Sequence, residues 1–254
     1  MGMDVDRAKA LRFLEAHPPP GRLLQLGVTG AHFYGFPSPD SDVDLKGVHL
    51  APTEALLGLD RPTETFDRLL DFEALEHDLT THEAARALSL LLKGNGNLLE
   101  RFLSPIQIVE GPEVDALAEL ARGSISRRFA GHYKGFFQGM QREHALKQRA
   151  KTMLYSYRVA LTGIHLMHTG ELVGDATVLA PEYGYPEVLE VVRFKGESDE
   201  HATLPEDIDA SMRAGWTKLE AELVEAEAKS TLPVEPPNRA DMDAWLRELR
   251  LGAL

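Results

Sequence analysis

A proline-free stretch in the middle of the chain, from Ser126 to Thr169, places apolar side chains at helical spacing. Apolar residues that recur every three or four positions are typical of helices with one buried face. Further helical patterns occur at residues 186–194, 205–228 and 241–250. Prolines at positions 233, 236 and 237 separate the last two of these. The second half of the chain is therefore predicted to be helical.

The first half instead mixes strand-like and helix-like segments. Helices are predicted at residues 4–15, 52–57, 84–93, 97–103 and 114–121. Strands are predicted at residues 23–28, 42–50, 72–80 and 106–109. The change of composition near residues 111–123 predicts two domains, residues 1–115 and residues 116–254.

Charge is unevenly distributed along the 254 residues. The chain has 27 Lys and Arg against 40 Asp and Glu, a formal net charge of −13. Between Arg122 and Arg158, however, nine basic residues accompany one acid, Glu143, so this stretch carries +8. An acidic total argues against coating long duplex DNA, because phosphate contacts need clustered basic side chains. The basic stretch indicates either an anionic ligand or a solvated helix face.

Several classes of protein are excluded by composition. The absence of cysteine excludes a disulfide scaffold and every thiolate zinc site. No apolar run approaches the roughly 20 residues that span a bilayer, and residues 1–17 lack the apolar core of a signal peptide. We therefore expect a cytoplasmic protein that has no membrane partner and that holds any metal with oxygen ligands.

The segment around Asp42 and Asp44 carries the clearest chemical signal. Residues two apart on a strand share a face, so both carboxylates point the same way, whereas Val43 and Leu45 point into the core. Two adjacent carboxylates repel each other unless a cation neutralises them. Mg²⁺ prefers one or two carboxylates together with substrate phosphate oxygens. The pattern therefore predicts a site for Mg²⁺ or Mn²⁺.

A calcium-binding loop fits this segment less well than a site for Mg²⁺ and a substrate phosphate. A glycine-rich turn just upstream supports the binding of phosphate. An EF-hand loop begun at Asp40 needs glycine at its sixth position and glutamate at its twelfth, where this chain has Leu45 and Ala51. Just upstream, Gly30 and Gly35 would let backbone N–H groups approach phosphates closely.

The ordered motifs resemble the DNA polymerase β superfamily of nucleotidyltransferases. Residues 30–35, Gly-Ala-His-Phe-Tyr-Gly, and residues 39–44, Pro-Asp-Ser-Asp-Val-Asp, are similar to the bacterial and phage branch associated with RNA ligases and RNA repair. Residues 91–100, the Lys151–Arg158 spacing, the Thr-Gly-Glu at 169–171 and the Ser-Thr-Leu-Pro at 230–233 resemble further motifs of that branch. The resemblance extends over nearly the whole chain.

The resemblance implies an α+β fold in which a polymerase-β-like nucleotidyltransferase domain precedes a helical C-terminal domain. The N-terminal domain would contain a small mixed sheet with flanking helices. A third metal-binding carboxylate is implied on a neighbouring strand, and Asp78 is the natural candidate, with Glu76 as the alternative. Asp42, Asp44 and Asp78 would then be both the catalytic and the metal-binding residues.

The resemblance also implies a nucleoside triphosphate (NTP) substrate and an RNA end as acceptor. The candidate nucleotide-binding residues are Gly30, Ala31, His32, Tyr34, Ser41, Lys147, Lys151, Tyr155 and Arg158. The last four share one helical face, which would either clamp phosphates or form an exposed salt-bridged surface.

Two departures from the branch keep other functions open. Ala31 replaces the serine of the superfamily turn, and Gly96 replaces a proline. The predicted activity is transfer of a nucleoside monophosphate with release of pyrophosphate. The alternatives are a nucleotide-binding or RNA-end-binding module that has lost transfer, and a nucleotidyltransferase toxin that modifies tRNA or protein.

Overall fold

The computed structural model describes residues 5–38, 41–199 and 202–252. Internal contacts group these residues into two compact units. One, the sheet unit, draws its residues from 4–30, 42–124 and 235–254, and the other, the helical unit, from 31–41 and 125–234. None of the helices in the described ranges is long and apolar enough to cross a membrane.

The sheet unit is built on four strands in the order β1-β2-β4-β3. These are β1 (Arg22–Val28), β2 (Val43–Leu50), β3 (Thr65–Phe72) and β4 (Leu75–Glu83). Strand β2 pairs antiparallel with β1 and parallel with β4, and β3 pairs antiparallel with β4. The small mixed sheet that the resemblance implies is thus confirmed.

Alternation along β2 determines what the sheet buries. Val43 and Leu45 belong to a core cluster with Phe13 of helix α1 (Arg7–Ala16) and Leu79 of β4. Apolar burial of this kind contributes about 25 cal/mol per Å². The polar side chains between these core residues therefore lie on the opposite face of the sheet.

Short helices complete the sheet unit. They are α3 (Ala84–Leu92), α4 (Gly96–Leu103), α5 (Pro112–Gly123) and the C-terminal α11 (Arg239–Leu251). Helix α11 is tied to the sheet because Arg250 Nη2 lies 2.8 Å from Glu83 Oε1 of β4. Asn95 caps α4 by accepting a hydrogen bond from the Leu98 N–H.

Three predicted elements differ in the structure. The strand expected at 72–80 is a hairpin of β3 and β4, whose turn places Glu73 and Ala74 at φ of 48° and 62°. The sequence does not predict strand β3, because Arg68 interrupts the apolar face formed by Phe66, Leu70 and Phe72, and Leu69 is apolar on the exposed face. Residues 106–109 form a single bridge between Gly27 and Gln107, and residues 52–57 contain a 3-10 turn, Thr53–Leu56.

The helical unit packs around one buried helix. Its helices are α6 (Phe129–Lys147), α7 (Ala150–Thr169), α8 (Ala176–Glu182), α9 (Val188–Gly196) and α10 (Glu206–Lys229). Gln148 adopts φ of 50° and separates α6 from α7. Helix α7 is buried on nearly every side, which is typical of a central helix. Tyr157 of α7 donates a hydrogen bond to the Met212 carbonyl of α10 at 2.7 Å. Helix α2 (Gly30–Tyr34) links β1 to the turn that precedes β2.

Candidate active site

Two carboxylates of the sheet unit meet on one face of the sheet. The parallel register of β2 and β4 pairs Asp44 with Asp78. Their side chains are partly buried, with 20% and 36% of their surface exposed. Glu76 lies two residues before Asp78 on β4, opposite Asp71 of β3, and is exposed. The register therefore brings Asp78, rather than Glu76, beside Asp44.

A lysine that the sequence analysis did not single out stands between these acids. Lys46 lies two residues after Asp44 on β2 and shares its face. Its Nζ lies 2.7 Å from Asp78 Oδ2 and 3.6 Å from Asp44 Oδ1. The alternation that places Asp42 and Asp44 on one face also places Lys46 there. The position of Lys46 beside the acids could therefore have been predicted from the sequence.

Gly30 makes close packing against Asp44 possible. Its φ is +66°, and a Cβ built on it would lie 1.8 Å from Asp44 Oδ2. The chain also turns tightly here, because the Thr29 N–H donates to the Asp44 carbonyl at 2.9 Å. Any side chain at position 30 would collide with the carboxylate, so only glycine leaves room for the carboxylate at its observed position.

The acid pair is chemically suited to a divalent cation. Among the described residues, no group of three or more His, Asp or Glu side chains is arranged to hold a metal ion. Asp44 and Asp78 nevertheless converge on a single positive charge, that of Lys46. Mg²⁺ commonly takes one or two carboxylates and completes its shell with water and substrate phosphates. Asp42 directly precedes β2 and is partly buried.

Buried polar groups support the strands that carry the acids. Arg101 of α4 donates from Nη1 to the Gly47 carbonyl of β2 at 2.8 Å. Burial lowers the pKa of Arg101 to about 10, although the charges of Asp67 and Asp78 act in the opposite direction. Arg101 therefore stays protonated at neutral pH and adds a fixed positive charge next to the strands that carry the acids. Sequence reasoning missed this residue, because an arginine within a helix gives no sign of burial.

The residues predicted to follow Gly30 in the nucleotide-binding turn belong to the helical unit. Ala31 and Tyr34 of α2 are buried, with 4% and 6% of their surface exposed. Ser41 is buried as well, and its Oγ accepts a hydrogen bond from the Ser38 N–H at 2.9 Å. His32 is partly buried. Asp40, which the quoted motif includes, lies outside the described residues.

Two neighbours hold this turn in place. Lys195 of α9 is buried and donates from Nζ to Ser38 Oγ and to the Phe36 carbonyl, both at 3.1 Å. Gly35 has φ of +84°, and a Cβ there would lie 1.9 Å from Asp175 Oδ1. The second glycine of the turn is therefore needed because a carboxylate, the N-cap of α8, packs against it.

The basic residues predicted on one helical face differ in their exposure. Lys147, Lys151 and Tyr155 line an open groove of about 360 Å³ along α6 and α7, together with Arg149 and Phe136. Lys147 Nζ also pairs with Glu143 Oε1 at 2.6 Å. The groove therefore combines cationic and aromatic side chains at a surface of the helical unit.

Arg158 lies in the interior rather than in the groove. It is fully buried, and its guanidinium stacks 3.6 Å from the centroid of the Tyr34 ring. Cation–π stacking contributes about 0.5–2 kcal/mol, more where water is excluded. A direct contact between Arg158 and a ligand stays a prediction.

Comparisons with known proteins place the chain in a family. A model of the RNA repair pathway DNA polymerase beta family matches residues 3–248. No curated protein sequence matches the chain significantly. Among solved structures, a nucleotidyltransferase-like protein from Exiguobacterium sibiricum 255-15 is similar at 14% identity and a TM-score of 0.33, covering 88% of this chain and 77% of that one. The family match spans almost the whole sequence, and the chain therefore belongs to the RNA repair pathway DNA polymerase beta family.

Proposed function

We propose that this chain is a metal-dependent nucleotidyltransferase that transfers a nucleoside monophosphate from an NTP to the hydroxyl of an RNA end. The observation that carries the proposal is the pairing of Asp44 with Asp78 across β2 and β4, with both carboxylates directed at one cation. Membership of an RNA repair polymerase β family supports the same reaction class.

In the proposed reaction, the acceptor oxygen attacks the α-phosphorus of the NTP. The bond to pyrophosphate breaks, and pyrophosphate leaves with the electron pair. Asp42, Asp44 and Asp78 would hold Mg²⁺ or Mn²⁺, which neutralises phosphate charge and makes the attacking hydroxyl more acidic. Asp78 helps to remove the hydroxyl proton as a general base. Most of the acceleration comes from positioning and electrostatics.

We propose that Lys147, Lys151 and Tyr155 contact phosphates of the nucleotide or of the RNA. They line a groove in which cationic groups lie beside the aromatic rings of Phe136 and Tyr155. Such a combination suits a short single-stranded segment, because bases stack on aromatic rings while Lys and Arg neutralise the backbone. The turn residues Gly30, Ala31, His32, Tyr34 and Ser41 are proposed to bind the nucleotide.

We assign the proposed catalytic and binding roles to the two domains predicted from the sequence. Residues 1–115 would contain the catalytic acids, and residues 116–254 the basic groove. The basic stretch between Arg122 and Arg158 supports this assignment, because its net charge is opposite to that of the whole chain.

The decisive experiment compares Asp44→Asn with the wild-type protein. Each purified protein is incubated with each labelled NTP, Mg²⁺ or Mn²⁺ and total RNA, and label transfer is measured. We expect a loss of at least about 10³-fold for Asp44→Asn, because a neutral amide cannot replace a metal-binding carboxylate. Asp243→Asn is the matched control, since Asp243 is exposed and pairs with Arg247 one turn later on its own helix. Transfer that survives in Asp44→Asn contradicts the assignment of the site.

A second candidate is a nucleotide-binding module without transfer activity. Ala31 favours it, because a hydroxyl that the superfamily turn normally has is absent here. The module would bind labelled NTP without releasing pyrophosphate, and Ala31→Ser would not restore release. Pyrophosphate release by the wild-type protein would exclude this candidate.

A further inference from the structure

We propose that Lys46 is a built-in counter-ion of the acidic site, and that a divalent cation must displace its ammonium group from between Asp44 and Asp78. This inference rests on the proposed function, because it concerns the same acids. It adds to that function a residue that competes with the metal and thereby sets how tightly the metal binds.

The ammonium group of Lys46 already occupies an oxygen-lined site. Besides Asp78 Oδ2 at 2.7 Å and Asp44 Oδ1 at 3.6 Å, it lies 3.3 Å from the Asp78 carbonyl and 3.3 Å from Thr80 Oγ1. All four oxygens come from two paired strands, because the register places Asp44 opposite Asp78 and Lys46 opposite Thr80. Carboxylate, carbonyl and hydroxyl oxygens are the donors that hard divalent cations use.

The strands fix these donors, so the site does not depend on Lys46 for its shape. Asp44 and Lys46 follow one another on the same face of β2, and Asp78 and Thr80 do so on β4. Gly30 leaves room for the Asp44 carboxylate, since a Cβ there would lie 1.8 Å from Asp44 Oδ2. The Lys46 ammonium group and a divalent metal ion would therefore contact the same oxygens.

The charges of Asp44 and Asp78 explain why the Lys46 ammonium group lies between them in the metal-free protein. The side chains of Asp44, Asp78 and Lys46 are 20%, 36% and 17% exposed, so water screens their charges only in part. Two carboxylates at a shared site repel each other at this depth. The ammonium of Lys46 offsets that repulsion, because it lies beside both carboxylates.

Competition follows from the shared oxygens. A divalent ion cannot approach Asp44 Oδ1 and Asp78 Oδ2 closely while Nζ of Lys46 remains 2.7 Å from one of them. The free energy of separating Lys46 from the acids is therefore subtracted from that of metal binding. Removing the lysine should strengthen metal binding, although it also removes a contact that stabilises the metal-free protein.

The test measures Mn²⁺ binding without nucleotide, by isothermal titration calorimetry, for the wild-type protein and for Lys46→Met. Methionine keeps much of the length of the side chain but has no charge. We expect Lys46→Met to bind Mn²⁺ at least about fivefold more tightly. We also expect a lower Tm without metal and a larger rise in Tm when Mn²⁺ is added, because binding to the folded state stabilises it.

Two further variants make the result specific. Lys46→Gln serves if Lys46→Met does not fold without metal, since glutamine can still donate a hydrogen bond to Asp78. Lys229→Met is the matched control, because Lys229 also pairs with a carboxylate, that of Glu225, but is 71% exposed on α10. The Mn²⁺ affinity of Lys229→Met should equal that of the wild-type protein.

Each outcome bears on one proposal. Tighter binding in Lys46→Met supports displacement. Equal or weaker binding overturns it, and the proposed transfer reaction then still stands on its own assay. If neither the wild-type protein nor the Lys46 variants bind Mn²⁺, the displacement inference is overturned together with the assignment of these acids as metal ligands. Loss of label transfer with tighter Mn²⁺ binding would show that Lys46 also has a role in the reaction itself, with displacement upheld.

Discussion

Replacing Gly30 with alanine would test whether the position of the Asp44 carboxylate matters. The new Cβ would lie 1.8 Å from Asp44 Oδ2, whereas ordinary contacts begin near 3.4 Å, so the carboxylate would have to retreat by about 1.6 Å. Misplacing a catalytic group by about 1 Å can cost about 10²-fold in rate. We therefore expect label transfer by Gly30→Ala to fall at least about 100-fold.

A matched variant separates this effect from backbone strain. Gly184 also has a positive φ, +80°, but a Cβ there meets nothing within 4 Å. Both alanine variants should lose about 1–2 kcal/mol of unfolding free energy, measured by urea denaturation, because a left-handed φ disfavours a side chain. Only Gly30→Ala should also lose label transfer. If the two variants transfer label equally well, the carboxylate position observed here is not required for the reaction, and the reasoning is refuted.

Three predictions concern stability, each measured by denaturation. Burial, and then nearby arginine charges, lower the pKa of His82 to about 4 from 6.5. Between these values the unfolded chain binds a proton that the folded chain does not, so the unfolding free energy should fall by about 1–2 kcal/mol as pH drops from 6.5 to 4, after allowance for screening. Denaturation of His82→Gln at pH 7.5 and 4.5 should show a smaller fall; an equal fall would contradict the assignment. Gly163→Ala should destabilise by about 1–3 kcal/mol, because its Cβ would lie 2.7 Å from Tyr133 Cβ and 2.9 Å from Leu223 Cδ1. Gly139→Ala, with nothing within 4 Å, should instead stabilise α6 by about 0.5–1 kcal/mol, and a loss of stability there would argue against the packing described.

The acidic strand was predictable because its pattern is local. Alternation along residues 42–50 requires only the period of a strand, and it correctly placed Val43 and Leu45 in the core. The glycines before it were predicted to allow close approach of phosphates to the backbone. The structure gives Gly30 and Gly35 positive φ values, which glycine permits, and packs the carboxylates of Asp44 and Asp175 against them. The helical second half could be predicted for the same reason, because helical spacing relates residues that are only three or four positions apart in the chain.

Pairing between strands could not be predicted in the same way. Asp78 and Glu76 lie on one face of β4, and only the register of β2 with β4 places Asp78 opposite Asp44. Strand β3 is not predictable by alternation, because Arg68 interrupts its apolar face and Leu69 is apolar on the exposed face. Register depends on contacts between residues more than 30 positions apart in the chain, and local periodicity carries no information about such contacts.

The sequence by itself determined the mixed first half and the helical second half of the chain, the acids on β2 and the basic character of the central segment. The tertiary structure decided which of those residues are close in space. It placed Lys46 between Asp44 and Asp78, buried Arg158 against Tyr34, and returned α11 to the sheet unit through Arg250 and Glu83. The physical reason is that side-chain period and charge are fixed along the chain, whereas burial and pairing depend on long-range packing.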